Sequence, residues 1–192
     1  TDHFRRMASV TPRRRINRAD HARSFPQAEQ PFALPQTFEA IGQTHDMAAF
    51  LADVTTTGLL VLHKGEKVYE NYWEGNRADS QVAIFSCTKS FVSTLVACAL
   101  RDGHIASLDD TVDKYAPELE GSGYEGVRIE DVLQMSSGVR WNEDYGDPLS
   151  DIARFAAAYL EPASFDAVCA SLPREHAPGT YNRYNTCDTH VL

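Results

Sequence analysis

Ser86-Cys-Thr-Lys-Ser-Phe-Val-Ser-Thr-Leu-Val-Ala-Cys-Ala-Leu-Arg101 carries no charge between Lys89 and Arg101, and Gly103 follows just beyond it. Apolar nearly all round and closed by a glycine, it predicts a helix that belongs in the middle of a domain. Ser86 opens that helix and Lys89 lies three residues on, so both sit on one face with the ammonium within reach of the hydroxyl. The positive end of the helix dipole and burial both disfavour a charged lysine there, an arrangement that selection for stability alone would avoid. A neutral Lys89 could take the proton from Ser86 Oγ, while the first helix amides, Ser86 N–H among them, point at a developing oxyanion. The alternative is purely structural: Ser86 as N-cap with Lys89 snorkelling to solvent. By itself, S-x-x-K arises by chance roughly once in a chain of this size, so the surroundings must decide.

N-terminal to this helix, Gly58 to Trp73 contains two β-rich runs around Lys64-Gly65-Glu66 and predicts a hairpin, preceded by a short helical segment around His45 to Leu51. Residues 1–35 hold Pro12, Pro26, Pro31 and Pro35 without sustained periodicity. They predict an extended basic leader, ordered only by packing on the rest. C-terminal to the helix, Val112 to Tyr115, Ile129 to Met135, Pro148 to Leu160 and Ser164 to Leu172 predict short helices joined by Gly- and Pro-containing loops. The expected class is α+β, an antiparallel sheet flanked by helices plus an all-α subdomain. The expected divisions are 1–35, 36–103 (hairpin and nucleophile helix) and 104–192 (helical subdomain).

The 192 residues, 43% hydrophobic and 23% charged, exclude a disordered or membrane-spanning chain, and Ser90 to Leu100 is too short an apolar run to cross a bilayer. The net charge of −9 hides an arm: seven arginines and two aspartates lie in the first 23 residues. Arg13 to Arg15 sit among Pro, Ala and Asn without aromatic interleaving, so neither nucleic acid nor membrane is expected as a partner. No charged n-region followed by an apolar h-region opens the chain, which makes the cytoplasm the expected compartment, or the periplasm if a signal peptide has been removed. Cys87, Cys98, Cys169 and Cys187 have neither CxxC nor zinc spacing, and Cys98 and Cys169 are expected as buried thiols. Gly121-Ser-Gly-Tyr-Glu-Gly126 spells G-x-G-x-x-G but follows a helix end, so it predicts a loop and no dinucleotide. Asp109, Asp110 and Asp113 read as an acidic helix start and not as a metal site.

Four blocks in order, Phe85-Ser-Cys-Thr-Lys-Ser-Phe91, Leu108-Asp-Asp-Thr-Val112, Val132-Leu-Gln-Met-Ser-Ser-Gly-Val139 and Pro178-Gly-Thr-Tyr-Asn-Arg-Tyr-Asn-Thr186, resemble the penicillin-recognising serine hydrolases of the β-lactamase type. The nearest branch holds class C β-lactamases, family VIII esterases, DD-peptidases and the 6-aminohexanoate-dimer hydrolases. The resemblance implies a nucleophilic serine and its lysine at Ser86 and Lys89, and a proton-shuttling tyrosine at Tyr184, with Tyr181 as rival. Where the family has Tyr-x-Asn, this chain has Tyr184-Asn185-Thr186, so Thr186 is expected to replace the asparagine as a substrate hydrogen-bond donor. Trp141-Asn-Glu-Asp-Tyr-Gly-Asp-Pro148 resembles the loop beside the cleft of the nylon-oligomer hydrolases, with Tyr145 expected to hydrogen-bond a bound amide or else to be an exposed loop tyrosine. Ser136-Ser137-Gly138 resembles a structural turn.

Nothing matches the family's third motif, Lys or His followed by Thr or Ser and Gly, and family members run to roughly twice this length. The resemblance therefore implies either a partner, a second polypeptide carrying the C-terminal half of the fold, or a remainder outside this sequence, or a truncated product. It implies acyl transfer on small esters or linear amides, with no metal or organic cofactor. β-Lactamase or DD-peptidase activity, and a non-catalytic penicillin-binding module, are the alternatives.

Overall fold

Lys64 and Gly65 both adopt positive φ, 50° and 84°, which reverses the chain in a two-residue turn whose twist suits a hairpin. The computed structural model describes residues 6, 9, 14–17, 19–21, 23–158 and 164–192. Packing divides the chain into residues 1–83 and 84–192. The helix that Ser86 opens thus groups with the helical part, and not with the hairpin as the sequence division at 103/104 expects.

In the first unit, strands β3 (Gly58–His63) and β4 (Glu66–Tyr72) form the expected antiparallel hairpin, with an irregularity between Val61 and Leu62. A second hairpin, β1 (Thr37–Ala40) and β2 (Gln43–Asp46), turns at Ile41-Gly42, again at positive φ. It replaces the start of the expected helix at His45. Helix α1 is Met47–Asp53, because Asp46 caps it by accepting from Ala49 N–H. The leader is ordered where it packs: Ala28 N–H donates to Lys67 O, Phe32 N–H to Val68 O and Lys67 N–H to Pro26 O. Arg5, Arg13 and Arg18 lie outside the described residues, as do the last two positions of the helix expected to end at Leu160.

The second unit holds the core, built around Tyr124, Val127, Val132, Trp141, Phe155, Cys169 and Leu172. Helix α2 (Cys87–Arg101) is followed by 3₁₀ turns at Val112–Lys114 and Pro117–Leu119, then α3 (Ile129–Leu133), α4 (Asp151–Ala157), α5 (Phe165–Ala170) and α6 (Thr186–Val191). Ser150, Ser164 and Asn185 cap α4, α5 and α6 with side-chain oxygens. Gly121 to Gly126 is a loop after a 3₁₀ turn, with Tyr124 fully buried in it. Asp109 and Asp110 are held by Arg128 and Lys114, and Asp113 accepts from Gly126 N–H. Among the described residues no group of His, Cys, Asp and Glu is placed to hold a metal ion, and no helix is long and apolar enough to cross a membrane.

The enclosure expected of the apolar helix is not found either. Helix α2 is apolar but not enclosed: Val96 is its one buried residue, while Phe91 and Leu95 are 62% and 64% exposed. Only one face of the helix finds partners within its unit. Cys98 is correspondingly half-buried, whereas Cys169 and Cys187 are buried.

Residues 174–183 are laced to the turn at 134–139. Gly138, at φ 76°, approaches His176 so closely that a Cβ would lie 2.2 Å from its carbonyl oxygen. Arg183 N–H donates to Met135 O and Asn182 Nδ2 to Gln134 O. Below them Asp188 is fully buried, its Oδ1 accepting from Ser137 Oγ at 2.8 Å and Tyr124 OH at 2.9 Å, while Oδ2 has no partner. Burial pushes this carboxyl up to about 7, against the pull of Ser137 and Tyr124. Unfolded, an aspartate loses its proton near pH 4, so the folded state binds the extra proton in between. The stability from that proton is present below about pH 4 and is lost as pH rises through 7. Urea denaturation across pH 4.5–8 should show a decline of about 3 kcal/mol from this source, and Asp188→Asn should flatten it.

Candidate active site

Phe85 turns the chain into α2 at φ 41°, a left-handed conformation that costs a bulky residue on the order of 1–3 kcal/mol. Ser86 follows in helical geometry, and its side chain caps nothing. Its Oγ faces Lys89 instead, with Nζ 3.2 Å away. The N-cap alternative for Ser86 therefore has no hydrogen bond behind it. Lys89 is half-buried, more open than the sequence expects, because the face of α2 it shares is not enclosed. Its Nζ also lies 3.3 Å from Thr186 Oγ1 and 5.0 Å from the centre of the Tyr184 ring.

The two tyrosines weighed for proton transfer separate clearly. Tyr184 presents its ring to Lys89, whereas Tyr181 stacks on His176 at 4.4 Å and under Arg183 at 5.0 Å. Both are about half exposed. Asn185, whose position departs from Tyr-x-Asn, is buried: its Oδ1 caps α6 by accepting from Cys187 N–H and Asp188 N–H, and its Nδ2 donates to Tyr124 OH. Thr186 is thereby the first residue of α6, and its hydroxyl donates to Glu143 Oε1 at 2.6 Å. The hydroxyl expected to serve substrate is committed inside the protein.

Glu143 is the site residue that the sequence did not single out. It sits in a loop braced by side-chain turns in which Asn142, Asp144 and Asp147 accept from Asp144, Gly146 and Leu149 N–H. Asp151 holds Asn142 N–H at 2.9 Å. Within this frame Glu143 Oε1 accepts from Tyr145 OH at 2.9 Å as well as Thr186, and Oε2 accepts from Thr186 N–H at 3.1 Å and from the Trp141 indole. Desolvation of the hydroxyl, then its bond to Glu143, holds the Tyr145 phenol above its ordinary value. Tyr145 is otherwise open, 76% exposed, with the Thr186 hydroxyl as a second side-chain neighbour of its oxygen. Three Asn/Asp side chains, at 142, 144 and 147, each two residues before the N–H they hold, are visible in the sequence as turn formers; the long-range contact to Thr186 leaves no local trace. Ser136 and Ser137 are buried, hydrogen-bonded to Asp131 O and Asp188, as a structural turn requires.

The chain belongs to the Beta-lactamase family: the family's sequence profile matches residues 35–192. Among individual proteins, it is 30% identical over 149 residues to the 6-aminohexanoate-dimer hydrolase of Paenarthrobacter ureafaciens, a match covering 78% of this chain and 36% of that one. Its fold superposes on a Bacillus anthracis protein described as a 6-aminohexanoate-dimer hydrolase with a TM-score of 0.83 at 22% identity, over 98% of this chain and 52% of that one. EstCE1, a hydrolase with promiscuous acyltransferase activity, aligns with a TM-score of 0.54 at 16% identity, over 73% of this chain and 42% of its own. The fold is β-lactamase-like, and the chain spans between about a third and a half of these relatives' lengths.

If Lys89 and Tyr184 move the serine proton, Lys89→Ala and Tyr184→Phe should each lower kcat by about 10²- to 10⁴-fold, the range for positioned acid–base groups. Tyr181→Phe should leave kcat within a few-fold. Steady-state ester hydrolysis measures all three.

Proposed function

We propose that this chain carries the nucleophile of a serine hydrolase that cleaves small esters or linear amides through an acyl-enzyme. The observation that carries the reading is Ser86 Oγ, uncommitted to capping and 3.2 Å from Lys89 Nζ. Ser86 Oγ bonds to the substrate carbonyl carbon as its proton passes to Lys89. The bond to the alkoxide or amine then breaks, and the proton reaches the leaving group by way of Lys89 and Tyr184. Water, deprotonated by the same pair, releases the acid. The Ser86 amide, at the positive end of α2, supplies one donor to the oxyanion.

Linear amides and esters are favoured over β-lactams by two features. Thr186 stands where the family's asparagine would hold an antibiotic's acylamide, and its hydrogen is given to Glu143. Tyr145 gives its own hydrogen to Glu143, so towards an exposed substrate its oxygen presents an acceptor, which suits an amide N–H. The 6-aminohexanoate-dimer hydrolase relatives point the same way.

We also propose that a further polypeptide segment completes the site. The outer face of α2 exposes Phe91 and Leu95, and the described strands form two separate two-stranded sheets, which are marginal in water by themselves. Such a segment would bring strands and the second oxyanion donor.

Fluorophosphonate labelling with peptide mapping tests both proposals. Ser86 should carry the adduct, and the chain by itself should react about 10²- to 10³-fold more slowly than with its completing segment, the cost of one missing oxyanion donor. Labelling at Ser90 or Ser137 would overturn the nucleophile; full reactivity of the 192 residues alone would remove the second polypeptide. Short-chain p-nitrophenyl esters and linear amides should outrun cephalosporins, and Tyr145→Phe should slow amides more than esters. Cephalosporin turnover without esterase activity would favour the β-lactamase reading instead.

A further inference from the structure

We propose that Glu143 is a positioning residue: it fixes the direction of the Thr186 hydroxyl and thereby reserves the lone pair of Lys89 for Ser86. The inference rests on the acyl-transfer reading above and adds a residue to it.

The argument is one of counting hydrogens. A threonine hydroxyl has one hydrogen and two lone-pair directions, and a carboxylate has only acceptor positions, about four of them. At Glu143 all four are faced by donors. The Trp141 indole N–H and the Thr186 backbone N–H meet Oε2; neither of these groups can turn round to become an acceptor. The Tyr145 and Thr186 hydroxyls meet Oε1. The Thr186 hydrogen lies in the 2.6 Å bond to Glu143, so towards Lys89, at 3.3 Å, Thr186 Oγ1 offers only a lone pair.

That direction matters for the base. A neutral lysine has two N–H bonds and one lone pair. With one N–H spent on Thr186, the lone pair can turn to Ser86 Oγ, 3.2 Å away on the same nitrogen. With Thr186 reversed, its O–H would occupy the lone pair, and Ser86 would face only N–H bonds. Glu143 excludes the reversed state without touching either Ser86 or Lys89.

Glu143→Gln keeps the shape and inverts the polarity. The two fixed N–H donors oblige the glutamine carbonyl to face them, so its NH₂ faces the hydroxyls, and Thr186 becomes an acceptor from glutamine with a hydrogen free for Lys89. The test is the rate of Ser86 labelling by a fluorophosphonate, in the wild-type preparation that reacts best, with thermal melts to confirm folding. Glu143→Gln should slow labelling about 10- to 100-fold, part of what a positioned proton acceptor contributes. Thr186→Val, which has no hydrogen to misdirect, should lose less than about tenfold, and adding Glu143→Gln to it should change nothing more.

Glu143→Gln reacting like wild type would overturn the inference. So would an equal loss from Glu143→Gln in the Thr186→Val background, since a carboxylate that merely braces the loop would be missed in either. Should Glu143→Gln melt before it can be assayed, Thr186→Val decides: a loss as large as that of Lys89→Ala would show that the hydroxyl itself carries the proton, against the inference. An unreactive wild-type Ser86 removes the acyl-transfer reading and this inference together, whereas a reactive wild type with additive variants removes the inference alone.

Discussion

Helix α6 begins where Asn185 is buried, and most of the site's geometry follows from how that one turn is anchored. Asn185 Oδ1 holds the first amides of the helix and its Nδ2 reaches Tyr124, while Asp188, one turn on, takes hydrogens from Tyr124 and Ser137. Buried polar groups tolerate little displacement, because a lost partner leaves an unsatisfied atom that costs roughly 1–3 kcal/mol. The network therefore fixes α6 in both rotation and height. Tyr184 and Thr186 flank Asn185 on either side, so their meeting with Lys89 is set by the cap.

Two loops converge on the same point by different means. Residues 174–183 are held by backbone and side-chain bonds to the turn at 134–139, an approach that only a glycine at position 138 permits. The loop at 141–150 is stiffened locally by its own Asn and Asp side chains. Glu143 joins the two, since it takes both the backbone N–H and the hydroxyl of Thr186. A half-buried carboxylate at that junction couples loop placement to the orientation of a single hydroxyl, which is a narrower role than adding charge to the site.

The apolar character of α2 has two consequences that differ in kind. Its first turn, with Phe85 at positive φ before it, supplies the position of Ser86 and Lys89. Its outward face, with Phe91 and Leu95 exposed, is more apolar than solvent contact would select. The proposed completing segment accounts for the second feature without altering the first, because the serine, lysine, threonine and glutamate contacts all lie between 84 and 192.

Helix α2, the Lys64-Gly65 hairpin and helices α3 to α5 were legible in the sequence, since each is a matter of local periodicity, turn chemistry and caps. So was the pairing of Ser86 with Lys89, which one helical turn enforces. The β1–β2 hairpin was not, because Ile41-Gly42 places a β-branched residue at positive φ, where propensity argues against a turn. Nor was the exposure of α2 legible: an all-round apolar helix implies a buried one, and only the fold shows which faces have partners. The contact of the Tyr184 ring with Lys89 and the inward commitment of Thr186 also waited for tertiary structure. Both depend on contacts some forty to a hundred residues apart, with Glu143 and with Lys89, and hydrogen bonds at that separation impose no pattern on the residues between them.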